Sequence, residues 1–430
     1  MRLPGRMAAA IEVLADVEAH RRPVAEALKA WGLANRFAGA GDRAAIGNLV
    51  YDALRRRSSH AWAMGSDAPR ALVLSVAVRE WGEPVDRLNA DFSSDRFAPT
   101  PVSDAEARHL TAVDPLSGAP DHVRGDVPEW TVPLLQESFG ASWIEEAQGL
   151  AGRPPLDLRV NTLKSSRERM LRSLDHLHPD PEMLIPNGIR FAAGVRDSRT
   201  PNVQIEEGFL TGGFEVQDFG SQIVATLAGA RGNEQVLDFC AGAGGKTLAM
   251  AAAMQNRGQI FAFDSDRARL APIYDRLKRS GVRNVQVRPP KTGALDDLVG
   301  KLDRVVVDAP CTGTGTWRRQ PTAKWKLTSE QLAARVEEQR GILVDAARFL
   351  KPGGTLVYIT CSVLPEENGR QAEAFLAAHP DFAATPGNKA WMAHFSGSKL
   401  RARFSPEGGV ALSPLLTGTD GFYLIQLQRS

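Results

Sequence analysis

The fold is decided by the stretch DFCAGAGGKT, residues 238–247. It follows an apolar strand-like run, 236–239, and precedes an apolar helix-like segment, 247–255. Glycines at a strand-to-helix turn let the backbone approach a ligand at the carboxyl edge of a parallel sheet. A phosphate-binding P-loop, Gly-x4-Gly-Lys-Ser/Thr, is excluded because Cys240 stands where its first glycine would be. The stretch therefore predicts a nucleoside-type site that is not a P-loop.

Short apolar strands alternate with helical segments on both sides of this turn. The predicted strands are 236–239, 259–263, 285–287, 304–307 and 355–359, with a further one at 421–427. Predicted helices between them include 247–255, 267–280 and 329–349. This alternation predicts a doubly wound, Rossmann-like α/β domain with a parallel sheet over residues 213–430.

The preceding half of the chain predicts two further domains. Helical periodicity in residues 7–57 and 71–81 indicates an α-helical N-terminal domain over residues 1–125. A helix at 165–174 between strand patterns at 156–161 and 188–191 indicates a small α+β middle domain over residues 126–212.

Composition is that of a globular protein. The 430 residues are 43% hydrophobic and 24% charged, and the longest uninterrupted apolar run, 248–254, is far shorter than the ~20 residues of a membrane span. We therefore expect no membrane partner. Three cysteines fit a reducing cytoplasm and exclude a disulfide scaffold. No Cys-x-x-Cys motif is present, so no metal site is expected.

An acidic residue after the second predicted strand restricts which ligands the site could bind. Asp264 lies 19 residues beyond Gly245, where a carboxylate can accept both hydroxyls of a ribose. This carboxylate alone is compatible with either a dinucleotide or S-adenosylmethionine as the ligand. The dinucleotide is disfavoured because the glycines at 242, 244 and 245 do not match Gly-x-Gly-x-x-Gly.

Two cysteines follow successive strands. Cys311 lies in DAPCTGTG, residues 308–315, and Cys361 lies in TCS, residues 360–362. The carboxyl ends of parallel strands meet at one edge of the sheet, so both thiols are expected to face one cleft.

At this point the sequence resembles a known family. Residues 238–247, 308–315 with 318–319 and 324–325, and 360–368 are similar to the signature of the Sun (RsmB-like) RNA cytosine-5 methyltransferases. The resemblance covers residues 128–430. The leading helices, 42–57 above all, resemble the NusB-type RNA-binding domain of bacterial rRNA members. The family resemblance implies S-adenosylmethionine as the cofactor and small-subunit (16S) rRNA as the substrate. A tRNA substrate and a non-catalytic RNA-binding assembly factor are the alternatives.

The chemistry requires these residue types. Position 5 of cytosine becomes nucleophilic once a thiolate adds to position 6. An acid beside ring N3 stabilises the adduct, and Asp308 is the candidate. A Pro-Cys after the fourth strand is the nucleophile's place in DNA cytosine methyltransferases, which favours Cys311. The family resemblance instead implies that Cys361 attacks and Cys311 assists release.

The resemblance also assigns cofactor residues. Lys246 is implied to lie beside both cofactor and target base, and the full cofactor set is Asp238, Cys240, Ala241, Gly242, Ala243, Gly244, Gly245, Lys246, Asp264 and Asp308. Asp218 matches a family stretch but receives no chemical role.

The chain departs from the family pattern at two places. Ala243 replaces the usual proline and Gly242 the more common alanine. The third strand ends in RPPK, residues 288–291, where the family has an acid that meets the adenine. Asp296 or Asp297 could substitute for that acid.

Cations alternate with aromatic residues after the Cys311 loop. Residues 315–326 hold four Lys or Arg and no acid. Such patterns grip phosphates and stack unpaired bases. The residues of this segment predicted to bind RNA are Arg318, Arg319, Lys324 and Trp325. Arg159 is predicted to bind RNA as part of a second basic segment, which also holds Arg153, Lys164, Arg167, Arg169 and Arg172. The protein is expected to be a monomer.

Overall fold

The computed structural model describes residues 1–430. The chain forms two compact units. The first comprises Met1–Arg153, Ala193–Thr200 and Trp317–Lys326, and the second comprises Pro154–Ala192, Pro201–Thr316 and Leu327–Ser430. None of the helices combines the length and the hydropathy that a bilayer crossing requires.

The chain contains helices and strands in the following order. The helices are α1 (Leu3–His20), α2 (Val24–Ala34), α3 (Ala40–Arg55), α4 (Arg57–Met64), α5 (Pro69–Ser75), α6 (Val85–Ser94), α7 (Asp104–Leu110), α8 (Asp121–Arg124), α9 (Val132–Phe139), α10 (Trp143–Leu150), α11 (Arg167–Ser173), α12 (Glu207–Leu210), α13 (Phe219–Leu227), α14 (Gly245–Ala253), α15 (Arg267–Leu270), α16 (Ile273–Ser280), α17 (Pro321–Lys326), α18 (Ser329–Ala347), α19 (Gly369–Ala378), α20 (Gly387–Phe395) and α21 (Pro414–Thr417). The strands are β1 (Leu156–Val160), β2 (Gly188–Phe191), β3 (Phe214–Val216), β4 (Gln235–Asp238), β5 (Gln259–Ala262), β6 (Val285–Val287), β7 (Leu302–Asp308), β8 (Leu350–Thr360), β9 (Phe382–Thr385), β10 (Arg403–Phe404), β11 (Val410–Leu412) and β12 (Phe422–Arg429). A π-helical turn, Val76–Glu80, extends α5, and 3-10 turns occupy Glu129–Thr131, Gly140–Ser142, Asp175–Leu177, Val203–Ile205, Asp296–Leu298, Thr314–Thr316 and Pro365–Glu367.

The first unit is built from helices around one apolar core. Met7 and Leu14 on α1, Ile46 and Leu49 on α3, and Leu72 on α5 are fully buried in it. Their three- and four-residue spacing is the helical periodicity that the sequence shows, so the helices predicted within residues 7–57 and 71–81 are confirmed.

A three-stranded antiparallel sheet, ordered β2-β1-β3, opens the second unit. The side chains of Leu158, Val160, Ile189, Phe191 and Phe214 form its core with α11. The predicted α+β character is confirmed. Strand β3, which has three residues and pairs with β1, was not predicted from the sequence.

The large sheet of the second unit is mixed. Its order is β10-β11-β12-β8-β7-β4-β5-β6, and β9 also pairs with β12. Strands β4 to β8 are parallel, as predicted, but β9 to β12 pair antiparallel. The predicted doubly wound parallel sheet is thereby confirmed for β4 to β8, and it carries antiparallel edge strands, which are common in α/β folds.

The connections place a topological switch point between β4 and β7. From β4 the chain proceeds through β5 and β6 to one side, and from β7 through β8 to the other. Ligands of open α/β sheets bind in the crevice at such a point, beyond the carboxyl ends of the strands. The turn at residues 238–247 and both cysteine loops begin at this edge.

A proline interrupts one of the predicted helices. The helix predicted over 267–280 is two helices, α15 and α16, because Pro272 lacks the N–H that would continue the first. The domain boundaries after residues 125 and 212 stay predictions, because compact grouping does not show which segments fold alone.

Candidate active site

The glycine turn between β4 and α14 requires glycine at two positions. Gly242 and Gly244 have φ of +50° and +82°. A Cβ on Gly244 would lie 2.5 Å from Cγ1 of Ile273 on α16. Both the left-handed backbone and this close packing exclude a side chain at position 244. The turn is therefore fixed in shape at the switch point, where a ligand can approach its backbone.

Asp264, predicted to hold a ribose, also supports this turn. One of its oxygens, Oδ2, accepts a hydrogen bond from the Gly242 N–H at 2.9 Å, and Oδ1 accepts one from the Asp266 N–H at 2.9 Å. The buried carboxylate at the end of β5 is thus already fixed beside the glycine turn.

Asp238 is a buried carboxylate with a spare acceptor. Only 1% exposed, it accepts a hydrogen bond from the Thr247 hydroxyl at 2.6 Å through Oδ2, while Oδ1 has no hydrogen-bond partner. Burial raises the pKa of Asp238 to about 7; the charge of Asp308 adds to the rise, and the Thr247 hydrogen bond opposes it. A buried acceptor without a partner fits a site whose ligand supplies a donor or a positive charge.

Lys246 and Asp308 form an ion pair at the same edge. The Nζ atom of Lys246 lies 2.6 Å from Oδ2 of Asp308 and 5.4 Å from the centre of the Phe422 ring. The lysine is buried, whereas about a third of the Asp308 side chain, 34%, is exposed. An acid and a cation, both predicted as catalytic, are therefore in direct contact.

The two thiols meet, as the sequence predicts. The Sγ atoms of Cys311 and Cys361 are 3.3 Å apart. The hydrogen bond with Cys361, followed by burial, raises the pKa of the Cys311 thiol well above its usual range. Since the thiolate is the nucleophile, a thiol held protonated is the poorer attacking group.

Glu367 fixes the Cys311 loop. Its buried carboxylate accepts hydrogen bonds from the N–H and the hydroxyl of Thr312, at 2.8 and 2.5 Å, and from Nε2 of Gln339, at 3.0 Å. The same Gln339 nitrogen also donates to the Pro310 carbonyl at 2.9 Å. Sequence reasoning missed both residues, although Glu367 lies within the quoted segment 360–368.

The two cysteine loops are also bonded to each other. The hydroxyls of Thr314 and Ser362 are 3.0 Å apart, and the Gly315 N–H donates to the Cys361 carbonyl at 2.9 Å. The Asn368 side chain donates to the Ser362 carbonyl at 3.0 Å. These bonds hold the thiols in fixed relative positions, which a two-thiol reaction requires.

A cavity of about 330 Å³ continues the cleft beyond β4, β5 and β6. Phe239, Phe263, Lys291, Asp296 and Phe349 are among its lining residues. The rings of Phe239 and Phe263 stack with centroids 5.6 Å apart. Such walls can hold a planar heteroaromatic ring, and sequence reasoning did not identify either phenylalanine.

The departure at the third strand has a structural consequence. Arg288 donates to the Asp297 carboxylate at 2.7 Å and lies 5.0 Å from the centre of the Phe261 ring. The Asp297 carboxylate is therefore already paired with the Arg288 guanidinium. Asp296 lines the cavity and is the better placed of the two predicted substitutes.

Comparisons with known proteins identify the family of this chain. The 16S rRNA methyltransferase RsmB/F family matches residues 225–428, and the ferredoxin-like domain of RsmF/B-like methyltransferases matches residues 127–196. The ribosomal RNA small subunit methyltransferase B of Shewanella oneidensis is 32% identical over 324 residues, which are 75% of this chain and 71% of that relative. The chain belongs to the RsmB/F family.

Other relatives extend the likeness. The ribosomal RNA small subunit methyltransferase B of Klebsiella pneumoniae is 37% identical over 262 residues, 59% of this chain and 58% of the relative. The chain thus spans between 58% and 71% of the length of these two relatives. The solved protein PH0851 superposes over 100% of this chain and 99% of its own, with a TM-score of 0.74 and 24% identity, which shows a shared fold.

The segment predicted to bind RNA, residues 318–325, is largely packed within the helical unit. Arg318 and Lys324 are buried in the helical unit, Lys324 being 1% exposed, and half-buried Arg319 lies between them in the chain. Lys324 Nζ donates to the Arg55 carbonyl at 2.6 Å, and Trp325 Nε1 donates to the Leu54 carbonyl at 2.6 Å. The side chains of Lys324 and Trp325 thus hold α17 against α3. The prediction of an RNA-binding surface is corrected for buried Arg318 and Lys324, and it stays a prediction for half-buried Arg319 and Trp325.

The prediction that Arg159 binds RNA is also corrected, because its side chain is buried. It is 8% exposed, and its guanidinium donates to the Gly245 carbonyl at 3.1 Å, inside the second unit. Asp218, which had no predicted role, caps α13: its carboxylate accepts hydrogen bonds from the N–H groups of Gly220, at 2.6 Å, and Asp420, at 3.3 Å.

Proposed function

We propose that this protein methylates position 5 of a cytosine in RNA, with S-adenosylmethionine as the methyl donor and 16S rRNA as the substrate. The observation that carries the proposal is the pair of thiols 3.3 Å apart at the switch point of an RsmB/F-family sheet. The three free cysteines fit a protein that acts in the reducing cytoplasm.

The cofactor residues have assignable tasks. Asp264 and the fixed turn at Gly242 and Gly244 would hold the ribose side, and the Phe239–Phe263 cavity would hold the adenine. Asp238 would face a cation or donor group with its spare oxygen. When bound, S-adenosylmethionine supplies an electrophilic methyl group.

The remaining residues act on the base. The Cys361 thiolate forms a bond to cytosine C6, and the electron pair displaced from the C5–C6 double bond gives C5 its nucleophilic character. N3 takes up a proton that Lys246 passes through Asp308, across their 2.6 Å contact. After C5 has gained the methyl group, a base removes the C5 proton and the freed electron pair re-forms the C5–C6 double bond. The C6–S bond breaks with its electrons on sulfur, which regenerates the Cys361 thiolate, and N3 returns its proton through Asp308 to Lys246. Cys311, 3.3 Å from the leaving sulfur, assists this release.

Lys246 supports the acid. Its 2.6 Å contact with Asp308 fixes the carboxyl group next to the thiols and supplies the positive charge that a pyrimidine accumulating negative charge would meet. The proposed roles of Lys246 and Asp308 rest on this direct pairing.

Trapping distinguishes the two thiols. The Cys311→Ala variant, incubated with S-adenosylmethionine and 16S rRNA, should accumulate a protein–RNA adduct that survives denaturing electrophoresis. Cys361→Ala should be inactive and form no adduct. The Cys311→Ala/Cys361→Ala double variant is the matched control and should also form none. An adduct with Cys361→Ala and none with Cys311→Ala would reverse the assignment.

The substrate is identified separately. Bisulfite sequencing of total RNA from cells with and without the gene should show one or more 16S rRNA cytosines whose protection depends on the gene. Protection confined to tRNA would replace rRNA by tRNA as substrate. RNA binding without any calorimetric affinity for S-adenosylmethionine would instead indicate a non-catalytic assembly factor.

A further inference from the structure

A buried acid in the small sheet is shared by two arginines of α16. Glu215 on β3 is 3% exposed. One of its oxygens, Oε2, accepts from Nη2 of Arg276 at 3.0 Å and from Nε at 3.2 Å, while Oε1 accepts from Nη2 of Arg279 at 2.6 Å. A fork of this kind fixes the planar guanidinium of Arg276 in one orientation.

That orientation directs Arg276 at the glycine turn. Its remaining nitrogen, Nη1, donates to the Ala243 carbonyl at 2.8 Å. Ala243 lies between Gly242 and Gly244, the two positive-φ residues of the turn. One guanidinium therefore joins the small sheet to the centre of the proposed cofactor turn.

A second link runs in parallel. Arg159 on β1 is the cross-strand partner of Glu215 on β3. Its Nη1 donates to the Gly245 carbonyl, two residues beyond Ala243, at 3.1 Å. The guanidinium groups of Arg276, which is half-buried, and Arg159, which is buried, thus donate to the carbonyls on both sides of Gly244.

We propose that Glu215, Arg276 and Arg159 are positioning residues, through which the small sheet sets the shape of the turn that receives the cofactor. None of them needs to touch the cofactor. Gly242 and Gly244 lack side chains that could brace the turn, so its carbonyls are held from outside by the arginines. This inference rests on the proposed use of S-adenosylmethionine.

The small sheet offers a matched control. Arg190 on β2 also forks onto a buried acid: it donates to the two oxygens of Asp157 at 2.7 and 2.8 Å. Asp157 in turn accepts from the Phe219 N–H at the start of α13, away from the glycine turn. Arg276→Lys and Arg190→Lys therefore make the same chemical change in comparable buried pairs of one unit.

The full-length variants are compared by calorimetry with S-adenosylmethionine, by steady-state kinetics and by thermal unfolding. Arg276→Lys should weaken cofactor affinity by about tenfold or more, because lysine cannot bond Glu215 and Ala243 at once. The KM for S-adenosylmethionine should rise in step, with kcat at saturating cofactor largely kept. Arg190→Lys should lose thermal stability but keep the wild-type affinity.

Further outcomes decide the inference. Glu215→Gln, which preserves the side-chain size, should also weaken cofactor binding, and its effect should not add to that of Arg276→Lys. If Arg276→Lys does not fold, Glu215→Gln alone carries the test. Equal affinity losses in the Arg276 and Arg190 variants, or wild-type affinity in the Arg276 and Glu215 variants, would overturn the inference. A wild-type protein that fails to bind S-adenosylmethionine would refute the proposed function itself.

Discussion

Replacing Asp238 by Asn should stabilise the protein, and the gain should grow with pH. In the folded chain the pKa of Asp238 is about 7, because burial, aided by the charge of Asp308, disfavours the ionised form. In an unfolded chain an Asp has a pKa of about 3.9. Between these values the folded state binds the proton more tightly, so folding becomes less favourable as the pH rises towards 7 and changes little above it.

The size of the effect follows from that interval. Each pH unit between the two pKa values costs about 1.4 kcal/mol, so the ionisable group destabilises the fold by about 4 kcal/mol at pH 8 and by about 1 to 2 kcal/mol at pH 5. Asn is neutral at both, and its amide oxygen can still accept from Thr247. The gain from Asp238→Asn should therefore be about 2 to 3 kcal/mol greater at pH 8 than at pH 5.

Urea unfolding followed by far-ultraviolet circular dichroism at both pH values measures this difference. Asp264→Asn is the control of opposite sign: Asp264 is equally buried, but both of its oxygens accept backbone N–H groups, so its variant should lose stability. A gain from Asp238→Asn that is the same at pH 5 and pH 8, or a loss at pH 8, would refute the reasoning.

Two further outcomes are expected. Dilute hydrogen peroxide should convert one thiol to a sulfenic acid, which the other thiol attacks with loss of water, so that Cys311 and Cys361 form a disulfide. This disulfide should abolish the proposed methylation until dithiothreitol reduces it. A mass spectrum in which the two residues are not cross-linked would contradict this. Arg169 and Arg172 lie on the exposed face of α11. The variants Arg169→Gln and Arg172→Gln should each reduce the slope of log affinity for RNA against log salt concentration by about one. The control variant Lys324→Gln should lower stability and leave that slope unchanged, because Lys324 is buried.

Local sequence patterns predicted the fold where they repeat along the chain. Apolar spacing located the helices of residues 7–57 and strands β4 to β8, and parallel-sheet topology correctly brought Cys311 and Cys361 together. Strands β3, β9, β10 and β11, of two to four residues, were not predicted. Their positions depend on pairing with β1, β11 and β12, which the local sequence does not encode.

The candidate site divides in the same way. Residues recognised by their place at a strand end, such as Asp264 and Asp308, lie where the sequence put them. Supporting residues were missed because their partners are remote: Glu215 and Arg276 are separated by 61 positions.

Burial was equally hard to read. The cations and tryptophans of residues 315–326 have the composition of an RNA-binding surface, yet Lys324 and Trp325 bond to the carbonyls of Arg55 and Leu54, about 270 residues earlier. Charge patterning records which groups are present, and only packing decides whether they reach solvent.

The acids at the switch point show why this site is costly to maintain. Asp238, Asp264 and Asp308 follow three strands that meet at one edge, so each raises the energy of charge on its neighbours. Lys246 pairs with Asp308, and Asp264 is bonded to the backbone, which leaves Asp238 as the carboxylate with an unbonded oxygen. A bound sulfonium cation would favour the ionised form of that carboxylate, so cofactor affinity should strengthen as the pH rises through about 7. The residue that destabilises the ligand-free fold is thus the one whose charge a cationic cofactor can use, and a protein selected for stability alone would have asparagine there.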